Sequence, residues 1–178
     1  QQCEIIPDEE DLDFIADLIN ENWGDTASID LINELNNVTT WEPFFEGNEI
    51  KSRITEIRYD HKGIKSIPIS LGDVDSLQRI ELQANDIINI PNEIGHLTRL
   101  EYITIQKNNI VSIPPKIKYL SKLEVFKIYD NKLSAVHENI GYLSNLKILN
   151  LSENNIQSFP IGMCDILLNT DITISIDG

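Results

Sequence analysis

The sequence predicts an α/β solenoid, in which one structural unit is repeated along the chain and a helical cap closes the N-terminal end. Two observations lead to this prediction. A pattern of apolar residues, Asn and Pro recurs every 23 residues from residue 54 onward, and the first 53 residues do not share it. A fixed period of this length indicates stacked units that bury their apolar faces against one another.

The repeat is clearest in the copy that begins at Leu77, which reads L-x-x-I-x-L-x-x-N-x-I-x-x-I-P-x-x-I-G-x-L. Shifting by 23 residues gives further copies from Ile54, Leu100, Leu123 and Leu146. The same shift places the start of a sixth copy in the last strand. We therefore predict about five full repeats and a terminal strand.

Each copy contains a short strand whose successive side chains face opposite sides of a sheet. Ile80 and Leu82 are predicted to face the core, and the residues beside them to face solvent. The Asn that follows the strand has an amide that can satisfy backbone groups left unpaired by the turn. Pro fixes the backbone of a returning arm that is irregular or briefly helical. The Asn slot holds Asn85, Asn108, Asn131 and Asn154.

Residues 1–53 are predicted to form a cap over the first core layer, and residues 54–178 the solenoid. A first helix is expected after the acidic stretch 8–11, because negative charge suits a helix N-terminus. Its apolar residues at helical spacing are Leu12, Phe14, Ile15, Ala16, Leu18 and Ile19. A second helix is expected at about residues 28–36. The segment 38–45 then brings Trp41, Phe44 and Phe45 towards the first repeat.

Charge separates the two parts of the chain. Residues 1–53 hold 14 Asp or Glu against 2 Lys or Arg, whereas the remaining residues hold 15 against 12. An acidic cap argues against binding to nucleic acid or to an anionic membrane surface. Its simplest interpretation is solubility, and a docking site for a basic partner is the alternative. No run of 18 apolar residues is present, so no membrane span is predicted.

The repeated residues resemble those of the leucine-rich repeat family in its 23-residue form, over residues 54–177. The resemblance implies a right-handed, horseshoe-shaped solenoid with a parallel β-sheet on its concave face. The first 53 residues, with a helix, Trp23, Trp41 and then R-I-T-E-I, resemble the N-terminal caps of secreted bacterial and plant members. Plant caps usually carry a Cys pair beside the second Trp; this chain does not, which favours a bacterial source.

No catalytic or metal-binding motif is present, so we predict neither an enzyme nor a cofactor. The three histidines fall at different positions of different repeats and are not expected to converge on a metal. Cys3 and Cys164 lie near opposite ends of the chain and are predicted to be too far apart for a disulfide. Cys164 is expected to pack as a small apolar residue. Cys3 is either free or the lipid-bearing residue of a bacterial lipoprotein.

The period assigns the solvent-facing strand residues to three columns on the concave face. The first column is predicted to be Glu56, Arg79, Tyr102, Val125, Ile148 and Asp171. The second is Arg58, Glu81, Thr104, Lys127, Asn150 and Thr173. The third is Asp60, Gln83, Gln106, Tyr129, Ser152 and Ser175. At the N-terminal end, Glu56 should meet Arg79 and Arg58 should meet Glu81, so that their charges neutralise one another.

Towards the middle of this face, Tyr102, Val125 and Ile148 form an apolar run over three strands. Tyrosines and apolar residues together are typical of a protein-binding patch. The predicted partner-binding residues are Tyr102, Gln106, Val125, Lys127, Tyr129 and Ile148. The alternative is that apolar residues occupy these positions only because they suit a sheet.

These features favour a non-enzymatic protein-recognition module, secreted or displayed at the cell surface, that binds a protein or peptide on the concave face. Two alternatives stay open. The repeats are also similar to those of Ras-pathway scaffold proteins, and unpaired cysteines suit a reducing, cytoplasmic compartment. The second alternative is that the chain is a substrate-recognition fragment of a larger enzyme, as in bacterial effector ligases, although the repeats of those ligases are generally shorter. A monomer is predicted, with pairing of open solenoid ends as the route to a dimer.

Overall fold

A computed structural model describes residues 6–24, 35, 39–46, 49–168 and 171–176 of the 178-residue chain. Cys3 and nearly all of the predicted second helix lie outside these residues. Leu35, from that second helix, is described, and it is helical and fully buried.

Within the described residues, eight strands form a single sheet. Seven of them run parallel in the order β1-β3-β4-β5-β6-β7-β8, and β2 pairs antiparallel with β3. The strands are β1 (Ile6–Pro7), β2 (Thr39–Glu46), β3 (Glu49–Arg58), β4 (Arg79–Glu81), β5 (Tyr102–Thr104), β6 (Val125–Lys127), β7 (Ile148–Asn150) and β8 (Thr173–Ser175). The predicted solenoid with a parallel sheet is confirmed.

The register from β3 to β7 follows the sequence period. Arg79 pairs with Tyr102, Tyr102 with Val125, and Val125 with Ile148, each step being 23 residues. The last step is different, because Ile148 pairs with Thr173 and not with Asp171. The predicted ends of all three columns are therefore wrong, because Thr173 continues the first column and Ser175 the second. The last repeat is longer because a helical turn, α2 (Cys164–Leu167), follows its 3-10 helix.

This helical turn also explains an incorrect prediction for Cys164, which is exposed and free. Met163 and Ile166 on either side of it are buried and take the core positions. The thiol is therefore left on the outer side of the turn.

The returning arms contain one 3-10 helix each, as the Pro positions suggest. In four arms a Pro with φ between −64° and −69° precedes the helix. His137 replaces Pro in the remaining arm, where its φ is −77° and its Nδ1 accepts the Asn139 N–H at 3.1 Å. The 3-10 helices are Ile69–Asp73, Asn92–His96, Pro115–Tyr119, Glu138–Tyr142 and Ile161–Met163.

The core lies between the sheet and the returning arms and continues through every repeat. One inward strand position illustrates it: its residues in successive repeats are at most 3% exposed. These residues are Ile57, Ile80, Ile103, Phe126 and Leu149.

The Asn residues after the strands link neighbouring repeats by hydrogen bonds. Asn108 Oδ1 accepts the N–H of Ile87 in the preceding repeat at 3.0 Å. Asn108 Nδ2 donates to the carbonyl of Leu82 in that same repeat at 2.9 Å, and to the carbonyl of Ile105 in its own repeat at 3.1 Å. The same donor and acceptor roles recur at Asn85, Asn131 and Asn154. The predicted role of this Asn column is confirmed.

In each repeat the residue before the Asn column position, which Lys62 occupies in the first repeat, has a positive φ, between 52° and 57°. This left-handed conformation turns the chain out of the strand, although non-glycine residues seldom adopt it. The backbone of Ala84 still pairs with the next repeat there, because its N–H donates to the Gln106 carbonyl at 3.0 Å. The five positions are His61, Ala84, Lys107, Asp130 and Glu153.

The cap contains the predicted first helix, α1 (Glu9–Asn22), whose N-terminus is capped by the side chain of Asp8. Its buried face consists of Asp11, Phe14, Ile15 and Leu18. Leu12 is 45% exposed and the predicted inward position of Ala16 is also exposed, so the predicted face is partly wrong. The helix packs against the first returning arm, and that contact decides which side is buried.

Two polar side chains, Asn22 and Asp11, attach the cap to the solenoid, a role that the sequence did not predict for either. Asn22 Oδ1 accepts the N–H groups of Lys65 and Ser66, and Asn22 Nδ2 donates to the Ser66 carbonyl at 2.9 Å. Asp11 Oδ2 accepts the N–H of Ile54 in the first repeat strand. These bonds satisfy backbone groups at the end of the solenoid, much as the Asn column does inside it.

The hairpin of β2 and β3 was also not predicted. Its sequence signal is Gly47–Asn48 between two runs rich in β-branched and aromatic residues. Pro43 within β2 obscures this signal, although Pro is compatible with an edge strand. The predicted boundary between residues 53 and 54 stays a prediction, and β3 runs across it.

We expect Asp11 to make folding stability depend on pH between about 4 and 6. Burial raises its pKa from 3.8 to about 6, assisted by the negative charges of Asp8 and Asp75 and opposed by the Ile54 N–H and Arg53. The folded state therefore retains this proton over a range where the unfolded state loses it. The contribution of Asp11 to the free energy of unfolding is fully present below pH 4. It falls by roughly 1 to 3 kcal/mol as the pH rises through 6.

Urea unfolding at several pH values will measure this contribution. Asp11→Asn retains an acceptor for the Ile54 N–H but does not titrate, so the loss of stability between pH 4 and 6 should become smaller. Asp13→Asn, an exposed position on the same helix, is the matched control. An Asp11→Asn profile that parallels the native profile would contradict the assignment.

Candidate ligand-binding face

Three columns of side chains lie on the outer face of the sheet from β3 to β7, and most of these side chains are at least partly exposed. Neighbouring strands in a sheet lie about 4.8 Å apart, so residues related by 23 positions stand side by side. The observed pairs Glu56–Arg79 and Glu81–Thr104 show this for the first two columns. The third column continues just beyond the strand ends.

The N-terminal part of this face carries four charges that pair with one another. Arg58 contacts Glu56 at 2.5 Å and Glu81 at 3.9 Å. Arg79 contacts Glu81 at 3.3 Å and Glu56 at 3.7 Å. The predicted neutralisation is therefore confirmed, because each of these four side chains forms ion pairs with the others.

The structure brings Tyr102, Val125 and Ile148 together as an apolar row across β5, β6 and β7. All three are partly exposed, and their pairing places them directly next to one another. The Arg79 guanidinium lies 3.9 Å from the centre of the Tyr102 ring. This cation–π contact orients the ring and connects the apolar row to the charged group on β3 and β4.

The remaining predicted residues lie beside this row but are not equally accessible. Lys127 stands in the second column, paired with Thr104 and Asn150, and is partly exposed. Tyr129, in the third column, is also partly exposed. Gln106 lies deeper, with only 7% of its surface exposed.

A chain of hydrogen bonds connects three residues of the third column. Gln83 Nε2 donates to Asp60 Oδ2 at 2.7 Å, and Gln106 Nε2 donates to Gln83 Oε1 at 2.5 Å. Gln106 Oε1 is buried and accepts no hydrogen bond. The sequence placed these residues in one column, but it did not predict these bonds or the unpaired oxygen.

The described part of the chain contains no group of acidic, His or Cys residues that could hold a metal ion. His61, His96 and His137 are exposed and belong to three different repeats. Among the residues described, no helix is both long and apolar enough to cross a membrane.

Comparison of the sequence with protein families identifies a leucine-rich repeat in residues 98–156. That match covers the two repeats that contain β5 and β6 completely and the first part of the repeat that contains β7. A search of curated proteins found no significant match.

Comparison with solved structures finds further proteins of similar architecture. The ectodomain of the receptor kinase SOBIR1 from Arabidopsis thaliana is 22% identical, with a TM-score of 0.79 over 98% of this chain and 95% of that one. Internalin C2 from Listeria monocytogenes is 25% identical, with a TM-score of 0.56 over 67% of this chain and 51% of that one.

A third similar structure is the ectodomain of the Arabidopsis thaliana receptor kinase GASSHO1/SCHENGEN3, crystallised in complex with CASPARIAN STRIP INTEGRITY FACTOR 2. It is 30% identical, with a TM-score of 0.51 over 60% of this chain. This chain covers only 13% of its length. All three are leucine-rich repeat ectodomains or internalins.

Proposed function

Because the chain is a leucine-rich repeat protein, we propose that it is a non-enzymatic recognition module that binds a protein or peptide on its concave face. The ligand contacts the apolar row of Tyr102, Val125 and Ile148, with Lys127 and Tyr129 beside it. The observation that carries this proposal is the position of the row, next to four charges that already pair with one another.

This arrangement favours binding by apolar contact and not by a general electrostatic attraction. Partly exposed aromatic and branched side chains bury area on binding at a low cost in side-chain entropy. Arg79 holds the Tyr102 ring in place, which reduces that cost further. The GASSHO1/SCHENGEN3 ectodomain was crystallised in complex with CASPARIAN STRIP INTEGRITY FACTOR 2, which supports a binding function here.

We place this module outside the cell, because its structural relatives are receptor ectodomains and internalins. An intracellular scaffold is the second candidate, and the exposed, unpaired Cys164 favours it. Fractionation of the native host separates the two: recovery from surface and culture fractions favours the first, and recovery from the cytosol alone favours the second.

Affinity capture from surface and culture fractions of the native host tests the binding face. We expect the native protein to retain a partner that the Tyr102→Glu/Ile148→Glu double variant loses, because two carboxylates in the row must be desolvated on binding. The matched control is Ile88→Glu/Val111→Glu, which introduces the same charges at exposed apolar residues of the returning arms.

Circular dichroism and thermal melting should first establish that each variant is folded. Capture of the same partner by the native protein and by the Tyr102→Glu/Ile148→Glu variant would contradict the proposed face. Loss of the partner only in the Ile88→Glu/Val111→Glu control would indicate that the binding site lies on the returning arms.

A further inference from the structure

A cavity lies on the returning arms, between the 3-10 helices Glu138–Tyr142 and Ile161–Met163, on the side of the core away from the sheet. Its volume is about 280 Å³, and it is lined by Glu138, Gly141, Tyr142 and Gly162. Pockets that hold drug-sized molecules begin at about 300 Å³, so this cavity is suited to a single side chain. It shares no residue with the concave face.

The preceding repeat shows which group this surface accepts. Tyr119 occupies the same position there as Tyr142, 23 residues earlier. The Lys118 ammonium lies 5.2 Å from the centre of the Tyr119 ring, within the range of a cation–π contact. Gly141 takes the place of Lys118 beside Tyr142, and among the described residues no cation lies over the Tyr142 ring.

The packing of the last two returning arms explains why a glycine stands at position 141. A Cβ atom added to Gly141 would collide with the carbonyl oxygen of Gly162 in the next arm. A Cβ atom added to Gly162 would in turn lie 2.9 Å from the Cβ of Glu138, closer than such atoms normally approach. Because neither glycine can carry a side chain without moving the arms, the space beside Tyr142 can be filled only by another molecule.

Glu138 gives the cavity a negative charge that the preceding repeat lacks, because Pro115 is its counterpart there. Glu138 is exposed, and within the described part of the chain its side chain forms no hydrogen bond or ion pair. Tyr142 is 67% exposed, so both groups can be reached from solvent. An unpaired carboxylate beside an open aromatic ring is complementary to a cation carried on an alkyl chain.

We propose that Glu138 and Tyr142 bind a Lys or Arg side chain of a partner protein in this cavity. The carboxylate pairs with the cationic group, and the Tyr142 ring contacts the cation or its aliphatic stem. Ile161, which is 89% exposed and adjoins Gly162, offers an apolar contact at the rim. The net charge of −15 favours the approach of a basic partner. This contact lies on the opposite side of the solenoid from the concave face and does not depend on the proposed function.

Peptide selection with counter-selection tests this contact. Random peptides displayed on phage are first depleted on the Glu138→Gln/Tyr142→Leu double variant, which removes peptides that bind elsewhere on the molecule. Both residues are exposed, so this variant should keep the native fold. The remaining phage are selected on the native protein, and the affinities of enriched peptides are measured by calorimetry. We expect each enriched peptide to contain a Lys or Arg whose replacement by Gln weakens binding about tenfold.

Single variants of the protein separate the two parts of the contact. Glu138→Gln removes the charge and keeps the size, and Tyr142→Leu removes the ring and keeps an apolar side chain. We expect each to weaken binding by roughly two- to fivefold, the range of one exposed ion pair or cation–π contact. The matched controls are Glu153→Gln, at another exposed position, and Tyr119→Leu, whose ring Lys118 already covers. Each control should leave the affinity close to the native value.

Nuclear magnetic resonance then locates the bound peptide. Titration of the isotope-labelled native protein with an enriched peptide should shift the amide signals of Gly141 and Gly162, which line the cavity, more than that of Thr104 on β5. The same titration of the Glu138→Gln/Tyr142→Leu variant should leave the two glycine signals nearly unchanged.

The outcomes separate this contact from the proposed function. Peptides that bind Tyr102→Glu/Ile148→Glu as tightly as the native protein, and lose affinity in Glu138→Gln, would support the cavity whatever the concave face binds. Three results would overturn it: no peptide enriched after counter-selection, enriched peptides whose Lys and Arg can be replaced without loss of affinity, or amide shifts confined to the concave face.

Discussion

Replacing Asn108 by Ala should lower the free energy of unfolding by about 2 to 4 kcal/mol, because one buried backbone N–H loses its partner and two buried carbonyls each lose one of their donors. The N–H is that of Ile87, and the carbonyls are those of Leu82 and Ile105, which keep the hydrogen bonds donated by Asn85 and Asn131. Asn108 is itself buried, so water cannot readily take the place of its amide. Urea unfolding followed by circular dichroism measures the change.

Two other Asn residues provide matched controls for this substitution. Asn155→Ala changes an exposed residue and should alter stability by no more than about 0.5 kcal/mol. Asn154→Ala removes a partly exposed member of the Asn column, where water can replace some of the lost bonds, so its cost should be intermediate. A value for Asn108→Ala no larger than that for Asn155→Ala would show that the column is not a source of stability.

Phe126→Ala should destabilise the protein by about 3 to 5 kcal/mol, because it leaves a cavity in the centre of the core. Phe126 is fully buried and is the aromatic member of an inward column otherwise made of Ile and Leu. Its neighbours in that column, Ile103 and Leu149, belong to strands on both sides and cannot easily collapse into the space. Chemical denaturation again provides the measurement.

Phe126→Ile is the matched control, since Ile occupies this position in three other repeats. Most of the apolar volume is retained, so its cost should be clearly below that of the Ala variant. Equal losses for the two variants would mean that an aromatic ring, and not filled volume, is required here.

The sequence predicts the solenoid well because every repeat uses the same residues to bury its apolar side chains and to pair the backbone groups of its turn. Ile80 or Leu82 can be buried only if a neighbouring repeat supplies the other side of the core. The Asn slot likewise has one function that the turn geometry imposes. Strand register and the apolar row of Tyr102, Val125 and Ile148 follow directly from that repetition.

The cap and the last repeat are less predictable because their contacts depend on single, unrepeated residues. Asp11 is inward because it accepts the Ile54 N–H, and apolar spacing contains no signal for such a bond. The two-residue shift of β8 follows from the helical turn at Cys164, which the other repeats do not have. The unpaired oxygen of Gln106 depends on amide orientations, which a column of residue types does not specify.

The Asn column makes the coupling between repeats directional: each Asn holds the repeat that precedes it. Separating two central repeats breaks these side-chain bonds together with a strand pair, so local opening should begin at the ends and spread inward. The N-terminal end is held by Asn22 and Asp11 of the cap. Each strand that carries the apolar row is paired on both sides within the described array, so displacing one of them breaks two strand pairs.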